Sequence, residues 1–166
     1  MDKRKDVLQL MENVVFLKTE TFFAGLSTDE LRSLAAIAEE IDVKDGACVV
    51  KENDAGDAMF IVKRGELRIV KGSGESAVQL AVIPKNSYFG EMALLEPGQL
   101  RSANALAKGD CTLLIFQRDD LEKAMEMHPK IAFEFIKMFG KRLRDTNEQL
   151  REARQKQLAQ SKEKNP

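Results

Sequence analysis

Glu91 and Arg101 stand ten positions apart in the stretch Ser87-Tyr88-Phe89-Gly90-Glu91-Met92-Ala93-Leu94-Leu95-Glu96-Pro97-Gly98-Gln99-Leu100-Arg101-Ser102-Ala103. An arginine offers a rigid fork of N–H donors that suits a phosphate diester, bidentately. A carboxylate near such an anion site has separate work, accepting a hydrogen bond from a sugar hydroxyl. Glu91-Met92-Ala93-Leu94-Leu95 is a strong helix former of barely more than one turn, too short to persist in water alone. Gly90, just before it, lets a ligand approach the backbone closely. Free N–H groups at the start of the turn, with the peptide dipoles behind them, suit an anion. By residue type alone, Glu91 and Arg101 could equally form a structural ion pair across a turn.

The elements that must hold this segment run helical, then β, then helical. Val7, Leu10, Met11, Val14 and Val15 recur at helical spacing and predict a first helix from Lys3 to about Leu17. Ser27-Thr28-Asp29-Glu30 reads as a capping box, and the helix behind it buries Leu31, Leu34, Ala35 and Ala38. From Ile41 to Phe116 the period changes to two and turn residues multiply. Short strands are expected at Ala47–Lys51, at Ala58–Lys63 and Glu66–Val70 joined by Arg64-Gly65, and at Ala77–Ile83. Two more, Ser102–Ala107 and Cys111–Phe116, flank Lys108-Gly109-Asp110. Turns every 8–12 residues indicate a sandwich or barrel.

Helices return at Asp119-Asp120-Leu121-Glu122, another box-like start, and are interrupted at His128-Pro129. Pro129 suits the first turn of a new helix, expected to reach about Gln157. In it Phe139, Leu143, Thr146, Leu150, Ala153 and Gln157 alternate steps of four and three, a heptad stripe. Gly140, inside that helix, marks a close helix crossing or a hinge. The resulting division is 1–40 helical, 41–118 β-sandwich with the charged segment, 119–158 helical, and 159–166 a disordered tail.

The balance of 26 basic and 27 acidic residues argues against a chain built to neutralise duplex phosphates. No run approaches the ~20 apolar residues of a membrane span. The basic start, Met1 to Asp6, lacks the apolar core of a secretory signal. A cytoplasmic chain with no membrane contact is expected, with Cys48 and Cys111 as reduced thiols. A single histidine, His128, excludes a multi-histidine metal site and is read as a helix-boundary residue. No catalytic residue, metal ligand or cofactor is assigned, and an enzyme is not expected.

The string Phe89-Gly90-Glu91-x-Ala93-Leu94, followed by Arg101-Ser102-Ala103, resembles the phosphate-binding cassette of cyclic nucleotide-binding domains. That family includes the bacterial catabolite activator and the regulatory subunits of cyclic-AMP-dependent kinase. Gly56-Asp57-Ala58-Met59-Phe60-Ile61-Val62 and Gly65-Glu66-Leu67 are similar to its earlier glycine-marked strands. The resemblance covers about residues 20 to 150. It implies a mainly β fold with flanking α: a jelly-roll-like sandwich with N-terminal helices and a long C-terminal helix. It implies Glu91 on the ribose 2′-hydroxyl and Arg101 on the exocyclic phosphate oxygens. The Ser102 hydroxyl and the amides of Gly90, Glu91, Ser102 or Ala103 would complete a cradle bounded by Phe89, Met92 and Ala93.

Three positions bear on the base. Asn104 stands where many cyclic-GMP binders have Thr and cyclic-AMP binders a small residue, which leaves base preference open. Lys141-Arg142-Leu143-Arg144-Asp145-Thr146-Asn147 resembles the activator's dimer helix, where a Thr-Ser pair contacts adenine; Thr146 and Asn147 occupy those places and favour cyclic AMP. The expectation is a cyclic nucleotide sensor, most simply for cyclic AMP, homodimeric through its last helix and acting on an unknown downstream protein without binding DNA directly. The alternatives are a truncated regulator of the catabolite-activator type, a cyclic GMP or cyclic dinucleotide sensor, and a ligand-free interaction module.

Overall fold

The computed structural model describes residues 3–96 and 98–163. Helix α1 (Lys3–Thr19) and a short 3-10 turn (Thr21–Phe23) lead into α2 (Thr28–Ile37). The capping box forms as expected: the Ser27 hydroxyl accepts from Glu30 N, and Ser27 N donates to Glu30 Oε2. Six strands follow: β1 (Glu39–Val43), β2 (Cys48–Val50), β3 (Ala58–Lys71), β4 (Val78–Ile83), β5 (Tyr88–Phe89) and β6 (Asn104–Gln117). The four-residue α3 (Met92–Leu95) lies between β5 and β6. The chain ends in α4 (Arg118–Met127) and α5 (Pro129–Glu163).

All pairings are antiparallel, in the order β1-β6-β3-β4, with β2 also on β6 and β5 also on β3. The expected breaks at Arg64-Gly65 and Lys108-Gly109-Asp110 are not turns between strands. They lie inside two long strands paired from Ala58↔Gln117 to Val70↔Asn104. Gly65 has φ +80° and no room for a side chain, since a Cβ would sit 2.7 Å from both Asp110 O and Cys111 Sγ. The register shifts on both sides of Arg64, a bulge that bends the pair. The bend brings Phe60 and Val62, before it, into one cluster with Leu67, after it, and with Phe89, Ala107 and Leu113. The sheet thus closes on itself as a jelly-roll-like sandwich.

The opposite face carries Met59, Ile61, Leu114 and Phe116, covered by Leu17, Leu31, Leu34, Leu121, Ile131 and Phe135 of the helices. Both faces of β3 are therefore buried at this end, which is why Ala58–Val62 reads as an unbroken apolar run. In α1 only part of the predicted apolar set packs inward. Leu10 and Val14 do so, while Val7, Met11 and Val15 are exposed. A polar network does the remaining docking: Lys63 donates to Glu40 Oε2 at 2.6 Å and to Asn13 Oδ1 at 2.9 Å.

The second box-like start does not cap. Gln117 is the N-cap residue of α4, and no side chain there bonds the helix amides. His128 closes α4, its Nε2 2.9 Å from Ser33 Oγ in a hydrogen bond, and Pro129 opens α5 as expected. Helix α5 passes Gln157 and continues to Glu163, into the stretch expected to be a disordered tail. Ala, Gln, Lys and Glu there are good helix formers. The rest of that tail, and Pro97 of the expected Pro97-Gly98 turn, lie outside the described residues. At Gly140 a Cβ would meet only Arg144 Nη1, at 3.6 Å, so among the described residues no other helix crosses closely there.

Candidate functional site

The charged segment is built onto the sheet from two sides. Strand β5 pairs with β3 at Phe60 and Ile61, and the Phe60 and Phe89 rings stack at 4.8 Å. Gly90 then turns the chain with φ +75°, and a Cβ on it would lie 2.8 Å from Arg101 Nη1. Position 90 therefore excludes a side chain twice, by backbone conformation and by the arginine packed against it. Ala93 N donates to Gly90 O and Leu94 N to Glu91 O, which forms the single turn of α3. The return segment lies along the loop after β2: Arg101 N donates to Asp54 O, Asn53 N to Arg101 O and Gly56 N to Gln99 O.

These contacts bring both charged residues to one cavity of about 470 Å³. Phe89, Gly90, Glu91, Met92, Ala93, Arg101, Ser102 and Ala103 all line it. Its apolar wall is Val50, Ile69, Ala81, Ile83, Leu100 and Ala105. Ala81 and Ile83 belong to β4, a strand with a neighbour on one side only, so this wall is the free edge of the β3–β4 hairpin.

Arg101 and Glu91 do not pair with each other. Arg101 Nη2 donates to Ala58 O at 2.8 Å and Nη1 to Gly90 O at 3.3 Å, and the guanidinium lies 5.6 Å from the Phe60 ring centre. Burial lowers its pKa; Asp57 and Glu91 oppose that shift, and Arg118 adds to it. Its direct partners are thus neutral carbonyls around a half-buried cation, an environment in which an anion would be welcome. Glu91 is 7% exposed and pairs with Arg142 of α5, Oε1 to Nη1 at 3.2 Å. Arg142 also donates to Tyr88 O and lies over the Tyr88 ring.

Arg142 lines the cavity and was not singled out from the sequence. Stepping back one helical turn from Thr146 would have reached it. The three expected base contacts lie elsewhere. Thr146 and Asn147 are exposed on α5 and are not among the cavity's lining residues. Asn104 is not among them either. Its amide nitrogen donates to Val70 O at 3.3 Å and Gly72 O at 3.1 Å, and its oxygen accepts from Glu52 N at 3.0 Å. Glu52 in turn accepts from Gly72 N at 2.8 Å. These bonds occupy the amide at the turn end of the β3–β4 hairpin.

The family model described as "Cyclic nucleotide-binding domain" matches residues 40–128. The chain belongs to that family. It is 28% identical over 135 residues to the cyclic AMP receptor protein of Thermus thermophilus, across 81% of this chain and 62% of that protein. It is 33% identical over 129 residues to glutaminase 1 of Bradyrhizobium diazoefficiens, across 78% of this chain and only 20% of that protein. The N-terminal domain of a transcriptional regulator from Streptomyces coelicolor A3(2) superposes with a TM-score of 0.68 at 27% identity, over 80% of this chain and 95% of that structure. The chain therefore spans less than two thirds of the curated relatives named here. Among the described residues no helix of this cyclic nucleotide-binding domain is long and apolar enough to cross a membrane.

Proposed function

We propose that this domain binds cyclic AMP and signals by moving α5. The observation that carries the reading is the placement of Arg101, a half-buried guanidinium with neutral carbonyl partners, on the same cavity as the buried Glu91 carboxylate. The cyclic phosphate takes Arg101 and the Ser102 hydroxyl, with the amides of Gly90, Glu91, Ser102 or Ala103 around it, and Phe89, Met92 and Ala93 bound the cradle. The ribose 2′-hydroxyl donates to Glu91. The purine lies against the apolar wall of Ile69, Ala81, Ile83 and Leu100. The named cyclic AMP receptor among the relatives supports adenine.

Arg142 shares the Glu91 carboxylate, so a ribose at Glu91 changes the bond that holds α5 to the cassette. The ligand shifts the helix only by its differential affinity for the two arrangements. Re-docking of α5 brings Thr146 or Asn147, beyond Arg142, over the base. The exposed Leu143 and Leu150 on the heptad stripe make a parallel homodimer through α5 the natural way to cover them. The role is that of a regulatory, non-enzymatic module acting on a downstream protein.

Calorimetry with cyclic AMP, cyclic GMP and a cyclic dinucleotide tests this reading. Cyclic AMP should bind best and Arg101→Glu should abolish it. No binding of any of the three by the parent chain would overturn it, and tighter binding of cyclic GMP or the dinucleotide would overturn the choice of base.

A further inference from the structure

Arg118, the first residue of α4, bonds to two separate parts of the chain, the loop before β3 and the turn of α3. Its N–H donates to Asp57 O at 2.8 Å. Its side chain donates from Nε and Nη2 to Ala93 O, from Nη2 to Gly56 O at 3.2 Å, and from Nη2 to Glu96 O at 3.5 Å. Ala93 and Glu96 are the turn and the C-cap of α3, where carbonyls lack helix partners and attract a cation. The guanidinium of α4 therefore caps the cassette's own helical turn.

The same carbonyl–amide chain leads back to the anion site. Arg101 Nη1 donates to Gly90 O, and Gly90 O also accepts from Ala93 N at 3.1 Å. One residue's peptide groups thus receive both arginines: Ala93 reaches Arg101 through Gly90 by its N–H, and Arg118 directly by its C=O. There is little slack at this point. Ala93 is 4% exposed, and a Cβ on Gly56 would lie 3.1 Å from both Ala93 Cβ and Arg101 Nε. A displacement of Arg101 toward an anion changes the bond at Gly90 O. The turn carrying Ala93 cannot move without moving Arg118 or breaking its bonds.

We propose that Arg118 is a positioning residue that ties the cassette to α4, so that occupancy at Arg101 is felt by the helices. This deepens the cyclic-AMP reading and rests on it. Arg118 is not among the residues lining the cavity, so its loss should uncouple the helices more than it weakens binding.

The chain has no tryptophan, so Phe139→Trp on α5 gives a single reporter of the helix environment. In that background, cyclic AMP affinity is measured by calorimetry and the ligand-induced emission change by fluorescence, with and without Arg118→Gln. The expected result is affinity within about fivefold of the reporter chain, with the emission change reduced at least fourfold. A full emission change in Arg118→Gln overturns the proposal, and so does a parallel loss of binding and response. If Arg118→Gln fails to fold, Arg118→Lys is judged by the same criteria. If the parent chain and the reporter chain both fail to bind cyclic AMP, the functional reading falls. If the reporter chain binds without any emission change, hydrogen exchange across α4 and α5 of the parent chain decides: exchange unaltered by cyclic AMP means the tie to the helices falls alone.

Discussion

The buried carboxylate of Glu91 lies 3.2 Å from the guanidinium of Arg142, a bond that joins the cassette to the last helix across 51 residues of sequence. Removing Arg142 leaves Glu91 buried without its cation, which costs more than deleting an exposed pair. Arg142→Met should lower stability by about 1–3 kcal/mol in urea melts. It should also weaken cyclic AMP binding several-fold. Arg142→Lys, which keeps a charge near Glu91, should recover part of both.

Arg101→Glu places a carboxylate where the phosphate is proposed to sit. Loss of charge-assisted bonds worth about 1.5–3 kcal/mol each, with repulsion added, predicts a drop in affinity of roughly 100-fold or more. Calorimetry measures it directly. The fold should survive, since the bonds to Ala58 O and Gly90 O are two among many on the sheet. Unchanged affinity would remove Arg101 from the site.

Asn104 gives a prediction opposite to the one its position in the sequence invites. Its amide is occupied by Val70, Gly72 and Glu52. Asn104→Ala should therefore cost about 1–3 kcal/mol of stability by orphaning partly buried partners. The ratio of cyclic AMP to cyclic GMP affinity should stay within about twofold. A large change in that ratio would return Asn104 to the base site.

Glu20 supplies a pH dependence. It is 3% exposed, and its Oε1 has no hydrogen-bond partner among the described residues. Burial raises its pKa above the ordinary carboxylate value of 4.5, against a weaker pull from Lys85. The folded chain therefore holds this proton more tightly than the unfolded one. Glu20's contribution is fully present below pH 4.5 and is lost as pH rises through the folded-state pKa. Glu20→Gln should be the more stable protein at pH 7.5, with the difference shrinking toward pH 4. Paired urea melts at the two pH values check this; a gain that is larger at low pH would reverse the assignment.

Leu143 and Leu150 are 64% and 63% exposed, so replacing them disturbs no packing within one chain. Leu143→Asp with Leu150→Asp should leave the melting temperature of a monomer intact and halve the mass seen by light scattering. An unaltered mass would place the dimer contact elsewhere or show that there is none.

What the sequence disclosed and what it hid divide along the range of the interactions. Ser27 and Glu30 announce their capping box because both partners lie within four residues. Pro129 opens a helix for equally local reasons. The cassette was legible because Gly90, Glu91 and Arg101 carry their spacing in one short stretch. Gly65 misled because a glycine with positive φ makes a bulge as readily as a turn, and only the partner strand decides which. Arg118 and Arg142 carry no local signal, because their partners are carbonyls and a carboxylate dozens of residues away. Asn104 stands as a base contact by the resemblance alone, but its amide nitrogen donates to Val70 O and Gly72 O at the turn end of the hairpin.

The β3–β4 hairpin bears on how long the proposed ligand would stay. Glu52, Gly72 and Asn104 bond to one another at its turn end, while among the described strands β4 pairs with β3 alone, from Leu67↔Ile83 to Lys71↔Val78, and its residues Val78, Leu80 and Val82 are exposed. A ligand held as proposed behind Ala81 and Ile83 would be screened from solvent by a strand bonded along one side. Substitutions on the outside of β4, remote from every proposed ligand contact, would then tune residence time while leaving the bound geometry untouched.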